Sequence, residues 1–366
     1  MRFPIAEPCL GEEELRNVIE AVKSGWISSK GKFIEQFEEN FARYCGVKYG
    51  VAVANGTVAL HLALAALGIS KGDEVIIPTL TFVATANAVT YCNATPVFID
   101  SHPDYWCINP EKIEEKISKK TKAIIVVHLY GHPCDMDWIM DIAKDYDLYV
   151  IEDAAEAHGA EYKKKKIGCF GDIACFSFYG NKIITTGEGG MCITNNEEIA
   201  EKMKMLRDHG MSKERKYWHE FLGFNYRMTN LQAAIGLAQL KKLDAFIDKK
   251  RKIAEWYKRE LKELEENGLI TLHPEMSWAK SIYWMYSILI EDKAKLDRNE
   301  LMKKLENEGI ETRPFFVPMH LLPFYRNKDC YPIAESLSNK GLNLPSSVLL
   351  TKDEITEITY ILSKYI

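Results

Sequence analysis

Lys182 stands between an apolar, aromatic run and a Thr/Gly-rich turn, in Ser177-Phe178-Tyr179-Gly180-Asn181-Lys182-Ile183-Ile184-Thr185-Thr186-Gly187-Glu188-Gly189-Gly190. A lysine held in a partly dehydrated pocket has its ammonium form disfavoured and can act as an amine nucleophile near neutral pH. An aldehyde-bearing cofactor suits that chemistry. Asp153 is the second group. It closes the apolar run Leu148-Tyr149-Val150-Ile151-Glu152-Asp153, at the carboxyl end of an expected buried strand, where open α/β sheets place ligands. A carboxylate there can face a protonated pyridine nitrogen and keep the ring an effective electron sink. It can equally cap the next helix. Taken with Lys182, it points to pyridoxal phosphate.

A phosphate needs its own cradle. Asn55-Gly56-Thr57 forms a turn opening the helix that begins near Val58. Free backbone N–H groups and the helix dipole favour an anion there, with the Thr57 hydroxyl as an added donor. Ser177 and Asn181 can supply further donors beside the lysine. Phe82, after another expected strand end, can stack on a pyridine face, although an isolated aromatic serves a core equally well.

These groups must be positioned by elements. Tyr49–Ala54, Glu74–Pro78, Thr95–Asp100, Ala123–His128 and Leu148–Asp153 are short, apolar and rich in β-branched residues, as expected for strands buried on both faces of a mostly parallel sheet. Helical stretches between them, such as Thr57–Leu67, supply the crossovers of an α/β domain. From Lys241 to Asn267 a charge-laced helical pattern leads into a smaller α+β region, with a strand expected over Ser281–Ile290 and a helix over Asn299–Gly309. The expected division is a large domain at 1–245 and a small one at 246–366, with the N-terminal segment able to pack on the latter.

Composition bounds the class. The 366 residues are 47% hydrophobic and 27% charged, an ordinary globular balance. No apolar run reaches the length of a membrane span, and the N-terminus lacks a signal peptide's apolar core, so a cytoplasmic protein is expected. Nine cysteines without a CxxC pair argue against a disulfide framework or a zinc site. A net charge of −5 argues against a nucleic-acid binder. Lys163-Lys164-Lys165-Lys166 reads as a solvated hairpin turn.

Asn55-Gly56-Thr57, Glu152-Asp153-Ala154-Ala155-Glu156-Ala157-His158-Gly159 and Ser177 to Gly190 match, in order and spacing, the DegT/DnrJ/EryC1/StrS family of pyridoxal-phosphate-dependent sugar aminotransferases, which the sequence resembles over nearly its whole length. The resemblance implies the PLP-dependent transferase type I (aspartate-aminotransferase-like) fold, with a mostly parallel seven-stranded sheet in the large domain. It implies Lys182 as the Schiff-base lysine and Asp153 as partner of the pyridine nitrogen. It also implies Gly56, Thr57 and Ser177 as phosphate ligands, and Phe82 as the stacking ring. Asn225 matches an asparagine that reaches the phosphate of the neighbouring subunit, which implies a homodimer with shared sites. At position 156 many relatives carry Gln, which donates to the cofactor's phenolic oxygen. An ionised Glu156 cannot donate, and a raised pKa or a bridging water would reconcile it.

Within the family, Trp26-Ile27-Ser28-Ser29-Lys30-Gly31 and Gly309 to Phe316 are similar to loops of the branch that moves the amino group of L-glutamate to C4 of GDP-4-keto-6-deoxy-D-mannose. On this resemblance Trp26, Ser28, Ser29, Lys30, Arg313 and His320 are the expected substrate-binding residues. Arg313 is the candidate grip on the diphosphate. No metal is expected at His320, which has no companion ligands at a suitable spacing. The alternatives are a UDP- or dTDP-linked 4-keto-6-deoxyhexose as acceptor, and a non-catalytic sensor or regulator that keeps the fold.

Overall fold

The computed structural model describes residues 1–366. The short apolar runs form strands and the longer amphipathic stretches form helices: α1 (Glu12–Ser24), α2 (Lys32–Cys45), β1 (Tyr49–Val53), α3 (Gly56–Leu67), β2 (Glu74–Pro78), α4 (Ala84–Tyr91), β3 (Thr95–Ile99), β4 (Thr121–Val127), α5 (Met136–Asp145) and β5 (Tyr149–Asp153). A short hairpin of β6 (Glu161–Tyr162) and β7 (Lys165–Lys166) precedes β8 (Ile173–Ser177), β9 (Gly190–Thr194), α6 (Glu197–Arg207), α7 (Asn230–Leu240) and α8 (Leu243–Glu260).

Seven strands make one sheet in the order β1-β9-β8-β5-β4-β2-β3. Only β9 runs against its neighbours; the pairs β5–β8, β4–β5, β2–β4 and β2–β3 are parallel. This is the mostly parallel seven-stranded sheet expected from the sequence. Most of its strand residues are buried, exposure being confined mainly to β3 and the strand starts, which is why these runs lack apolar/polar alternation. β5 lies mid-sheet beside β8, so Asp153 and Ser177 emerge at the same edge. The hairpin turn at Lys163 and Lys164 has both residues left-handed, φ 45° and 69°, the twist that a two-residue hairpin turn requires.

The rest of the chain comprises α9 (Lys262–Glu266), β10 (Ile270–Leu272), β11 (Ala279–Lys280), β12 (Tyr286–Ile290), α10 (Arg298–Asn307), β13 (Arg313–Pro314), α11 (Pro332–Lys340), β14 (Gly341–Leu344) and α12 (Lys352–Tyr365). An antiparallel sheet in the order β10-β12-β14-β13 anchors a second core. That core takes Ile253 and Tyr257 from the later part of α8, and Phe3 from the N-terminal segment, which bridges to Ile310. Earlier in α8, Leu243 and Ile247 belong to the main core instead.

The strand expected over Ser281–Ile290 begins only at Tyr286. The preceding residues pair with the loop after β4: Ile282 and Trp284 donate their amides to the carbonyls of Gly131 (3.2 Å) and Tyr130 (3.0 Å). Tyr283 between them is left-handed, with φ 47°. The alternating pattern thus belongs to a strap crossing from one sheet to the other. No helix is long and apolar enough to cross a membrane.

Candidate active site

Five residues beyond β8, Lys182 lies in a turn tied by its own hydrogen bonds. The Lys182 amide donates to Tyr179 O at 2.9 Å, and the Thr185 hydroxyl to Phe178 O at 2.9 Å. The Thr/Gly composition therefore serves to close the turn. The Lys182 side chain is 11% exposed, and its amine lies 3.8 Å from Glu156 Oε1 and 3.8 Å from the centre of the Trp284 ring. Burial holds the Lys182 pKa below the ordinary lysine value, Glu156 and Asp153 oppose the fall, and the Arg313 charge adds to it. An amine so placed can attack an aldehyde and can give or take a proton.

Asp153 ends β5 and is buried. Thr85, in the first turn of α4, donates its hydroxyl to Oδ2 at 2.8 Å, while Oδ1 receives only the Ala155 amide at 3.3 Å. Burial pushes the Asp153 pKa up against the pull of Thr85, Ala155 and the Lys182 charge. Such a carboxylate has acceptor capacity to spare, which suits a cationic ring N–H. Glu156 is also buried, and its Oε2 accepts the Tyr130 amide at 2.8 Å. Burial pushes its carboxyl up to about 7, against the pull of Lys182 and that amide. A protonated Glu156 can donate to a phenolic oxygen as a glutamine would.

The cradle is built by close approach. A Cβ on Gly56 would lie 2.8 Å from Ser177 Cβ, so only glycine lets the start of α3 meet the end of β8. Asn55 caps the helix by accepting the Val58 amide at 3.0 Å, which leaves the Gly56 and Thr57 amides without intrahelical partners. These amides, with the Thr57 and Ser177 hydroxyls, form a donor set for a phosphate. Phe82 is 54% exposed and packs on Phe316 with ring centres 5.8 Å apart, presenting a free aromatic surface. A phosphate-bearing pyridine aldehyde fits the whole arrangement: amine, two carboxyl groups, donor cradle and ring. Asn225 is exposed, bridged through its backbone to Asp208.

Other expected residues fall elsewhere. His320 is buried away from any open face. Its Nδ1 pairs with the Thr79 hydroxyl at 2.7 Å, its Nε2 faces Glu335 at 3.2 Å, and Tyr331 covers the ring. The expectation that it lines the substrate site is corrected: both ring nitrogens are taken by a clamp between the end of β2 and α11. Asn181, expected beside the phosphate, uses its carbonyl to accept the Trp284 indole N–H at 2.9 Å. Its side-chain oxygen is buried without a partner. Trp26, Ser29 and Lys30 border an open cleft of about 820 Å³ with residues of α1, α2 and α6, and none of the residues around Lys182 borders it. Asn230 fixes this segment by donating to the carbonyls of Trp26 and Ser28 at 2.6 Å each. Within one chain, then, Trp26, Ser28, Ser29 and Lys30 do not line the Lys182 site. Arg313, on β13, is exposed, pairs with Glu311 at 3.3 Å, and its charge is felt at Lys182.

Sequence reasoning did not single out Trp284, Tyr130, Thr85 or Phe316 as site residues, although Tyr130 and Phe316 lie in segments, His128–Gly131 and Gly309–Phe316, that resemble substrate loops. Trp284, Tyr130 and Phe316 form a run of near-parallel rings, 6.3 Å and 5.5 Å apart, leading from Lys182 toward Phe82. One local signal existed: Tyr130 precedes Gly131 in a tight turn, and Tyr130 itself is left-handed with φ 51°.

A profile of the DegT/DnrJ/EryC1/StrS aminotransferase family matches residues 8–363. A GDP-perosamine synthase of Escherichia coli O157:H7 is 50% identical, covering 97% of this chain and 96% of the relative. One of Caulobacter vibrioides is 48% identical, covering 98% and 96%. A dTDP-3-amino-3,6-dideoxy-alpha-D-galactopyranose transaminase of Aneurinibacillus thermoaerophilus is 38% identical, covering 97% and 96%. Among solved structures, Helicobacter pylori PseC, an aminotransferase of pseudoaminic acid biosynthesis, superposes with a TM-score of 0.94 at 31% identity, covering 100% of this chain and 98% of its own. The chain belongs to the DegT/DnrJ/EryC1/StrS aminotransferase family and is a pyridoxal-phosphate-dependent enzyme.

Proposed function

We propose that the protein transfers the amino group of L-glutamate to C4 of GDP-4-keto-6-deoxy-D-mannose, giving GDP-perosamine, and that it works as a homodimer in the cytoplasm. The observation that carries this reading is the near-full-length identity of 50% and 48% to two GDP-perosamine synthases, above the 38% to the dTDP-sugar enzyme. The groups gathered around Lys182 support the same reading.

Bound pyridoxal phosphate supplies an electron sink that makes the hydrogen on the amine-bearing carbon acidic. Lys182 would hold the cofactor through its amine. With the cofactor in place, that amine would serve as the group that takes and returns the proton at the substrate's amine-bearing carbon. Asp153 holds the ring nitrogen protonated. Gly56, Thr57 and Ser177 hold the phosphate, with Asn225 of the partner subunit completing the cradle. Phe82 covers a ring face, and Glu156 in its protonated form donates to the phenolic oxygen. Arg313 anchors the diphosphate of the acceptor from β13, in the sheet of the second core, and its charge acts at Lys182. The Trp26–Lys30 segment would serve substrate only at the partner's site.

The test is a panel of GDP-, UDP- and dTDP-linked 4-keto-6-deoxy sugars with L-glutamate as donor. Amination of the GDP-mannose-derived ketone at the highest kcat/KM is expected. Preference for the dTDP- or UDP-linked ketone would move the reading to that acceptor. Loss of the visible band on adding glutamate separates an enzyme from a sensor.

A further inference from the structure

Lys250, on α8, is 4% exposed and has no carboxylate beside it. Its amine donates to the carbonyl of Trp284 at 2.8 Å and also to the carbonyl of Ser346. Burial alone pushes its pKa down to about 7. An apolar side chain would fill this space without the cost of dehydrating an ammonium, so core packing does not account for a lysine here. The two carbonyls do account for it, because each would otherwise lack a donor.

Both carbonyls belong to segments that converge on Lys182. Trp284 is fixed through its amide to Tyr130 O, through its indole N–H to Asn181 O, and through its carbonyl to Lys250. Ser346 receives the Tyr286 amide on its hydroxyl and donates its own amide to Ile5 O, each at 2.8 Å. Lys182, Asn181 and Lys250 border one small cavity together with Ser347 and the N-terminal segment. The Trp284 ring so held lies 3.8 Å from the Lys182 amine. A π face at that distance favours positive charge on the nitrogen.

We propose that Lys250 is a positioning residue for Lys182: by donating to the carbonyls of Trp284 and Ser346, it fixes the indole against the reactive amine. The charged and titratable groups acting on Lys182 are Asp153 at the end of β5, Glu156 and His158 in the loop after it, and Arg313 from β13, while Glu7 and Cys9 of the N-terminal segment and Lys250 of α8 border the same small cavity. The inference rests on Lys182 carrying the cofactor and is independent of which sugar is aminated.

The readout is the pH midpoint of the visible band of the cofactor-loaded protein, which reports protonation at the Lys182 nitrogen. Lys250→Met is expected to lower that midpoint by about half a unit to one unit, as loss of a cation–π contact does. Trp284→Leu is expected to lower it as well, and Lys250→Met is expected to add nothing in the Trp284→Leu background. A raised midpoint that persists in both backgrounds would show Lys250 acting through its charge and would overturn the proposal. So would an unchanged midpoint in Lys250→Met. An unchanged midpoint in Trp284→Leu overturns it whether or not Lys250→Met folds. Absence of any visible band in the unaltered protein would instead refute the cofactor assignment.

Discussion

The Lys182 amine lies 3.8 Å from Glu156 Oε1, near enough to feel the carboxylate's charge and too far for a direct hydrogen bond. Glu156 is pushed up to about 7, so in the cofactor-free protein its charge appears only as the pH passes neutrality. Below that it is neutral and does nothing for Lys182; above it, it holds a proton on the amine. Glu156→Gln removes this charge at constant shape. The neutral amine then forms at lower pH than in the unaltered protein. Cofactor capture, followed as growth of visible absorption, is expected to be faster in Glu156→Gln at pH 8 and equal at pH 5. Coincident profiles across that range would contradict the coupling.

Asp153 receives a 2.8 Å hydrogen bond from the Thr85 hydroxyl inside the core. Leaving one partner of a buried charge pair alone costs about 2–5 kcal/mol, so Asp153→Ala is expected to lower kcat/KM about 100-fold or more. Thr85→Val acts through Asp153 and removes one hydrogen bond rather than the charge. A hydrogen bond to a charged group is worth about 1.5–3 kcal/mol, so a loss in cofactor affinity of about 10- to 150-fold is expected. Equilibrium dialysis of both variants checks this, and an Asp153→Ala protein with full affinity and rate would remove the ring-nitrogen role.

Asn225 is exposed in the single chain. If it completes the partner's cradle, Lys182→Ala and Asn225→Ala are each impaired, yet a mixed dimer holds one site with both residues intact. Refolding the two variants together is expected to restore up to about a quarter of the unaltered activity, by random pairing of subunits. No recovery on mixing, with mixed dimers present by mass, would show that the sites are not shared.

Much of this site was legible because its chemistry is local in sequence. Lys182 sits in its own turn, Asp153 at its own strand end, and Gly56 opens its own helix. The strands were legible for the same reason, since each is a compact apolar run. What was not legible arrives from far along the chain. Trp284 reaches Lys182 only because the strap before β12 pairs with the loop at Tyr130, and its pattern reads locally as more strand. Lys250 reads as one cation in the charge-laced helical stretch from Lys241 to Asn267; only the folded chain puts carbonyls around it. His320 erred the other way. A histidine in a substrate loop invites a binding role, and burial against Thr79 and Glu335 gives it a structural one.

His320→Leu is accordingly expected to cost stability and leave substrate recognition intact. Losing the imidazole leaves the buried Thr79 hydroxyl only the residue-320 amide at 3.4 Å, and a buried polar group that loses its main partner costs about 1–3 kcal/mol. Urea unfolding is expected to show that loss, with KM for the keto sugar within about twofold of the unaltered value, as for an interaction absent from the bound complex. A large rise in KM without loss of stability would return His320 to the substrate site.

The most direct measurement of the central claim is covalent trapping. The protein loaded with pyridoxal phosphate is reduced with borohydride, digested, and its peptides weighed. The account predicts the cofactor's added mass on the peptide carrying Lys182, with none on the peptide carrying Lys250. Label on Lys250, or on no lysine at all, would contradict it.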